Sequence, residues 1–172
     1  MKKYLLALFL SLMLLSFVSV LQVQAASDVK LSPEQIGLIN MNCNSSKIQL
    51  EKVQKVDAKI RAELGGSYET LLSSFITNLN LRLVRNNIAH QELIDDQSLF
   101  SAQRDDFKQH YIQYSKKFDR LLETDCRAKP KLFYKRLNSV RKARAVLGED
   151  YINSIDLLEK HQEKVKALME KL

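Results

Sequence analysis

The sequence predicts an all-α fold, an elongated antiparallel three-helix bundle with coiled-coil-like packing and helices over about 33–85, 88–125 and 130–171. Three observations carry that expectation. Beyond a signal-like N-terminus the chain holds only two prolines and four glycines, and such sparse punctuation means few, long helices rather than strands. Apolar residues recur every seven positions over much of its length, the pattern of helices that pack along a seam. The only cysteines, Cys43 and Cys126, lie symmetrically about position 84.5, beside the polar pair Asn86 and Asn87 where two antiparallel helices would turn. A Cys43–Cys126 disulfide would clamp the open end of that hairpin, the alternative being two free buried thiols. Closing the 82 intervening residues is worth at most roughly 4–5 kcal/mol in the chain-entropy account.

The first helix starts at Ser32-Pro33-Glu34-Gln35, where an N-cap serine, a first-turn proline and a glutamine three residues after the cap coincide. Its seam reads Ile36, Ile39, Cys43, Leu50, Val53, Ile60 and Leu64, then changes phase after Gly65-Gly66 to Tyr68, Leu71, Phe75, Leu79 and Leu83. A glycine pair inside a helix predicts a kink or a close helix contact. In the second helix Leu93, Phe100, Phe107, Tyr114 and Leu121 recur at seven-residue intervals, with Tyr111 and Phe118 beside them. It should end near Asp125-Cys126, because the residue before Pro130 is pushed out of helical geometry. The third places Phe133, Leu137, Val140, Leu147, Tyr151, Leu158, Val165, Leu168 and Leu172 on one stripe.

Lys2 and Lys3 precede an apolar run from Leu5 to Leu21, followed by Gln22-Val23-Gln24-Ala25. This reads as a secretory signal over 1–25, cut after Ala25 and leaving residues 26–172 as a single helical-bundle domain. The run of 17 residues lies between a signal core and a membrane span, so an uncleaved N-terminal anchor is the alternative. No later stretch is apolar enough to span a membrane, and no integral membrane domain is expected after cleavage. The expected location is secreted, periplasmic or in the extracellular envelope, where disulfides persist. Removing Lys2 and Lys3 takes the basic count from 27 to 25 against 20 acidic residues, a formal charge of +5. That excess biases the protein toward acidic partners without naming one.

Two charged residues fall on seams. Asp57 lies 14 residues beyond Cys43 and Arg144 lies 14 beyond Pro130, so equal helical rise brings them to one height. A buried or edge ion pair between Asp57 and Arg144 is expected, with Arg61, one turn from Asp57, as the alternative partner. Arg104 projects to the level of Gly65-Gly66 and Tyr151. His90, His110 and His161 lack the close helical spacing of a zinc site, and His161 is expected as a partly buried packing residue near Asp95 and Asp96. Neither a phosphate-binding glycine loop nor a nucleophile elbow appears, so no cofactor is expected and no enzyme is read.

Residues 127–148 hold no acidic residue while Arg127, Lys129, Lys131, Lys135, Arg136, Arg141 and Lys142 accumulate there. They form a candidate anion-binding surface, set against the plainer reading of a solvated helix face. The clamp end should be positive and the hairpin end more acidic.

Cys43, Asp57, Arg61, Gly65, Tyr68, Leu79-Asn80-Leu81-Arg82, Asp125-Cys126, Pro130 and Phe133-Tyr134 together give a pattern that resembles small exported helical proteins of candidate-phylum bacteria, Saccharibacteria-like in character. The resemblance implies an envelope location and paired cysteines, and carries no activity or site.

The functional expectation is a secreted or envelope-associated bundle acting as a non-catalytic binding or structural module. The alternative is a binder of anionic polymer, lipid or nucleic acid through residues 127–148. Partners are an unknown protein or an anionic envelope component, with monomer and dimer both open.

Overall fold

Ser32 caps the first helix as a closed box: its Oγ accepts from the Gln35 backbone N–H at 3.2 Å while Gln35 Oε1 accepts from the Ser32 N–H at 2.9 Å. The computed structural model describes residues 30–171 except Ala89; the signal segment expected over 1–25 lies outside the described residues. Those residues are all-α, with α1 Pro33–Met41, α2 Cys43–Thr70, a π-helical turn Leu71–Ile76, α3 Thr77–Arg85, α4 Gln91–Leu122 and α5 Pro130–Met169. Among the described residues no strand occurs, and no helix is long and apolar enough to cross a membrane.

The helix expected over 33–85 is therefore not one uniform helix. It is interrupted at Asn42, whose side-chain Nδ2 donates to the Leu38 carbonyl at 2.9 Å and whose own carbonyl accepts from Ser45 Oγ. Short polar side chains that bond nearby backbone compete with helical geometry in this way. The second irregularity is the π turn, and it corrects the seam as well as the helix. The residues that enter the core are Tyr68, Leu72, Ile76, Asn80 and Leu83, whereas Phe75 is 64% exposed. Steps of four residues drift off one face of a 3.6-residue helix; the wider π turn takes up the extra residue and keeps Leu72 and Ile76 inward. Gly65 and Gly66 lie within unbroken α2, and a Cβ built at either would meet nothing within 4 Å. They mark neither the kink nor a close contact.

Asn86 and Asn87 make the turn. Asn87 is left-handed at φ 56, its N–H bonds the Val84 carbonyl, and the Ile88 N–H bonds the Leu83 carbonyl at 2.8 Å. This is a Schellman stop with asparagine in the position glycine usually holds, sealed by packing of Ile88 against the Leu83 cluster. α4 runs Gln91–Leu122 rather than 88–125, because these turn residues are consumed before it and Asp125 is drawn into a loop after it. The Asp125 carboxylate accepts from the backbone N–H of Arg127 and of Ala128. Those two bonds, the Ala128 one first, hold its pKa below the usual carboxylate range. α5 ends at Met169 rather than near 171.

Leu93, Phe100, Phe107, Tyr114 and Leu121 are all buried, so α4 is the spine on which α2, the π turn, α3 and α5 pack, while α1 lies against α5. Cys43 and Cys126 form a disulfide, Cα–Cα 5.6 Å, within a core cluster that includes Tyr114, Phe118, Leu121, Phe133 and Val140. α4 and α5 share the most extensive helix contact.

Candidate binding groove

α2 and α5 both belong to this assembly, yet among the described residues their backbones nowhere approach within 8 Å. An open groove of about 650 Å³ remains between them, within the size range of small-molecule sites. The residue types account for it. On α5, Ala145 and Gly148 supply little side chain to fill the space, and a Cβ added at Gly148 would meet nothing within 4 Å. Ile60 and Leu64 of α2, Phe107 and Tyr111 of α4, and Leu147 and Tyr151 of α5 supply an apolar lining. Next to it, with Leu64 and Tyr151 lining both, a smaller cavity of about 110 Å³ lies among Leu71, Phe100, Ile155 and Leu158, with Ser67, Tyr68 and Ser154 also on its wall.

Charge is confined to the other end. Asp57 accepts two hydrogen bonds from Arg144, from Nε to Oδ2 and from Nη2 to Oδ1, both 2.9 Å, the bidentate geometry that suits guanidinium and carboxylate. The hydroxyl of buried Tyr114 also donates to Asp57 Oδ2. The carboxylate side chain is 10% exposed and the Arg144 side chain 57%, so the pair sits on the groove edge. The hydrogen bond to Asp57 pushes the Arg144 pKa up. Burial, then the same carboxylate, pushes the Tyr114 phenol far above its ordinary value.

Arg61, the alternative partner for Asp57, is turned to α4 instead, its guanidinium 5.3 Å from the Tyr111 ring centroid, a cation–π arrangement. Burial raises the Tyr111 pKa, with Arg61 opposing. Arg141 also lines the groove. Neither Arg61 nor Arg141 has an ion-pair partner within 4.0 Å among the described residues. The groove therefore presents two unneutralised guanidiniums and one spent carboxylate at one end, and hydrocarbon at the other.

At the apolar end the Tyr68 hydroxyl bonds Ser154 Oγ, which itself donates to the Asp150 carbonyl. Burial first, and Asp150 second, push the Tyr68 pKa up to about 12.

The basic residues of 127–148 do not act as one group. Arg136 Nη1 donates to the Arg120 carbonyl at 2.6 Å and to Thr124 Oγ1 at 2.7 Å, so it closes the C-terminal end of α4 and is committed to the fold. Arg141 belongs to the groove. Arg127, Lys129, Lys131, Lys135 and Lys142 are exposed. Arg104 reaches Glu69 at 3.3 Å and Asp105 at 3.0 Å rather than the space beside the glycines. His161 is 6% exposed and bonds Asp96 Oδ2 at 3.0 Å, with Lys164 on the other oxygen at 2.5 Å. His110 bonds Asp150 at 2.8 Å.

Tyr111, Tyr114, Ala145 and Gly148 escaped the sequence reading of the site. Tyr114 carried a usable signal: a hydroxyl on an otherwise hydrocarbon seam must find a partner when buried, and Asp57 is a carboxylate on the facing seam. No protein-family model, curated protein or solved structure matches the chain.

Proposed function

We propose that the protein is a secreted or envelope-located, non-catalytic binding module that takes its ligand in the groove between α2 and α5. The observation that carries this reading is the groove itself: about 650 Å³ of mostly apolar lining with a few convergent charged groups, the usual make-up of a ligand site. Its one carboxylate is held by Arg144 and Tyr114, which favours recognition over proton transfer. The envelope location rests on the signal-like N-terminus, the paired cysteines and the resemblance to exported helical proteins.

The test is saturable binding of the fluorescent anion 8-anilinonaphthalene-1-sulfonate to the oxidised protein, beside Gly148→Leu, which places a side chain in the groove, and Gly148→Ala, which barely enters it. One-site enhancement lost in Gly148→Leu and kept in Gly148→Ala, with all three folded by circular dichroism, supports the reading. Equal enhancement in all three, or none in any, overturns it.

A second reading is an anionic-polymer surface on the clamp end, favoured because Lys131, Lys135 and Lys142 are exposed and without ion-pair partners among the described residues. It predicts retention on a heparin column that falls steeply with salt and is lost in a Lys131, Lys135, Lys142→Ser variant. Arg136 is left intact there because of its bonds to α4.

A further inference from the structure

The two connected features of the groove, guanidiniums at one end and hydrocarbon at the other, restrict what it can hold. We infer that its ligand is a single-chain amphipathic anion, a carboxylate or phosphate head on one long acyl or alkyl chain, with the head at Arg61 and Arg141 and the chain directed past Leu64 and Tyr151. This inference rests on the groove being the binding site.

The argument is one of polarity, length and supply of charge. Arg144 is the weaker anchor, because its charge is already matched by the Asp57 carboxylate that takes two of its five N–H donors. Arg61 lies over the Tyr111 ring at 5.3 Å, a contact that does not neutralise it, and Arg141 has no ion-pair partner among the described residues. A carboxylate or phosphate accepts from such donors with charge-assisted hydrogen bonds, whereas a neutral head would leave two cations beside a desolvated ligand. Toward the other end no charged residue lines the smaller cavity, and the hydroxyls of Ser67, Tyr68 and Ser154 on its wall are already bonded within the protein, so an apolar portion of the ligand suits it.

Length follows from the helix. Arg141 and Leu158 are 17 residues apart on α5, about 25 Å at 1.5 Å per residue. With carbon–carbon bonds of roughly 1.5 Å in zigzag, that leaves room for a head bridging Arg141 and Arg61, which lies one turn beyond Asp57 toward Leu158, and a chain of up to about sixteen carbons. The smaller cavity holds only about 110 Å³, which suits one chain better than the two chains of an ordinary phospholipid. A hydrophilic polymer would leave the Leu71, Phe100, Ile155 and Leu158 end unused.

The experiment is competition against bound 8-anilinonaphthalene-1-sulfonate below the micelle range, using myristate, myristyl phosphate, octanoate and the uncharged monomyristoylglycerol. The proteins are wild type, Arg61→Gln/Arg141→Gln and Gly148→Leu. Displacement by myristate or myristyl phosphate supports the inference, and the stronger of the two identifies the head. Octanoate should be weaker by 100-fold or more, since each methylene is worth about fourfold. The double arginine variant should bind both anions tenfold or more weakly and monomyristoylglycerol unchanged.

Equal competition by monomyristoylglycerol and myristate, with no effect of the arginines, overturns the anionic head. Equal competition by octanoate and myristate overturns the long chain. If the sulfonate binds and is lost in Gly148→Leu, but neither long-chain anion displaces it, the inference falls while the groove reading stands. Failure of the sulfonate to bind, together with absent calorimetric binding of myristate and myristyl phosphate, removes both.

Discussion

Asp57 has two partners of unequal weight, and the difference is measurable. Arg144 looks the stronger by charge, but its side chain is 57% exposed, and water recovers most of what its loss removes; an exposed pair of this kind is worth about 0–1 kcal/mol. Tyr114 is 1% exposed, and its hydroxyl loses its one protein acceptor among the described residues if Asp57 goes. A buried hydroxyl left without its partner costs about 1–3 kcal/mol. Asp57→Ala should therefore lose about 1–4 kcal/mol in all, most of it through the tyrosine, and Arg144→Gln no more than about 1 kcal/mol. Tyr114→Phe, which removes the hydroxyl and leaves the carboxylate its arginine, should fall between. The assay is urea unfolding of the oxidised protein followed by far-ultraviolet circular dichroism, with the Asp57→Ala/Tyr114→Phe double variant to close the cycle. That double variant should cost less than the sum of the singles by about 1–2 kcal/mol, since the orphaned hydroxyl is gone. Additive losses, or an Arg144→Gln loss equal to that of Asp57→Ala, would refute the ranking and make the guanidinium the principal partner.

Three further outcomes are expected. Reducing the Cys43–Cys126 disulfide, or changing both cysteines to serine, should lower stability by about 2–4 kcal/mol, read as a drop in the urea midpoint; an unchanged midpoint would mean the bridge constrains nothing the fold needs. At Asn87, with φ 56, Asn87→Gly should be neutral or slightly stabilising and Asn87→Val should cost about 1–2 kcal/mol, visible as a fall in melting temperature for Asn87→Val and none for Asn87→Gly. Tyr68 has a folded pKa raised to about 12 from an ordinary 10, so the unfolded chain loses this proton first. Its contribution is full below pH 10 and is lost as pH rises toward 12, by about 1–2 kcal/mol after allowance for solvent screening. A Tyr68→Phe variant should lack that part of the alkaline decline, and an identical decline in both proteins would assign the effect elsewhere.

What the sequence made legible is what a single helix states about itself. The heptad from Leu93 to Leu121 names the inward face of α4 whatever packs on it, and the Schellman stop at Asn86-Asn87 is written in two residues that tolerate its geometry. Asp57 and Arg144 meet because helical rise is constant and the ends at Cys43 and Pro130 are aligned by the disulfide. The rest depends on neighbours. Phe75 and Leu72 are equally apolar, and only packing against Phe100 and Leu157 selects Leu72 for the core and draws the backbone into a π turn. The groove is a separation between α2 and α5, which no periodicity within either helix encodes. Arg136 belongs to a charge run by sequence and to the end of α4 by contact, a distinction that needs the Arg120 carbonyl in place.

The disulfide joins residues 83 apart and so closes a covalent ring of α2, the π turn, α3 and α4, with α5 outside it. Mechanical load makes that topology matter. Tension applied between Leu31 and Lys171 passes from Cys43 directly to Cys126 and on into α5, bypassing everything in the ring. Only the short segment before Cys43 and the part after Cys126 can lengthen while the bridge is intact. The ring-borne wall of the groove is then shielded from pulling, and α5, held to the ring by packing and by side-chain bonds such as His110–Asp150 and His161–Asp96 but by no covalent link beyond Cys126, is the element that peels.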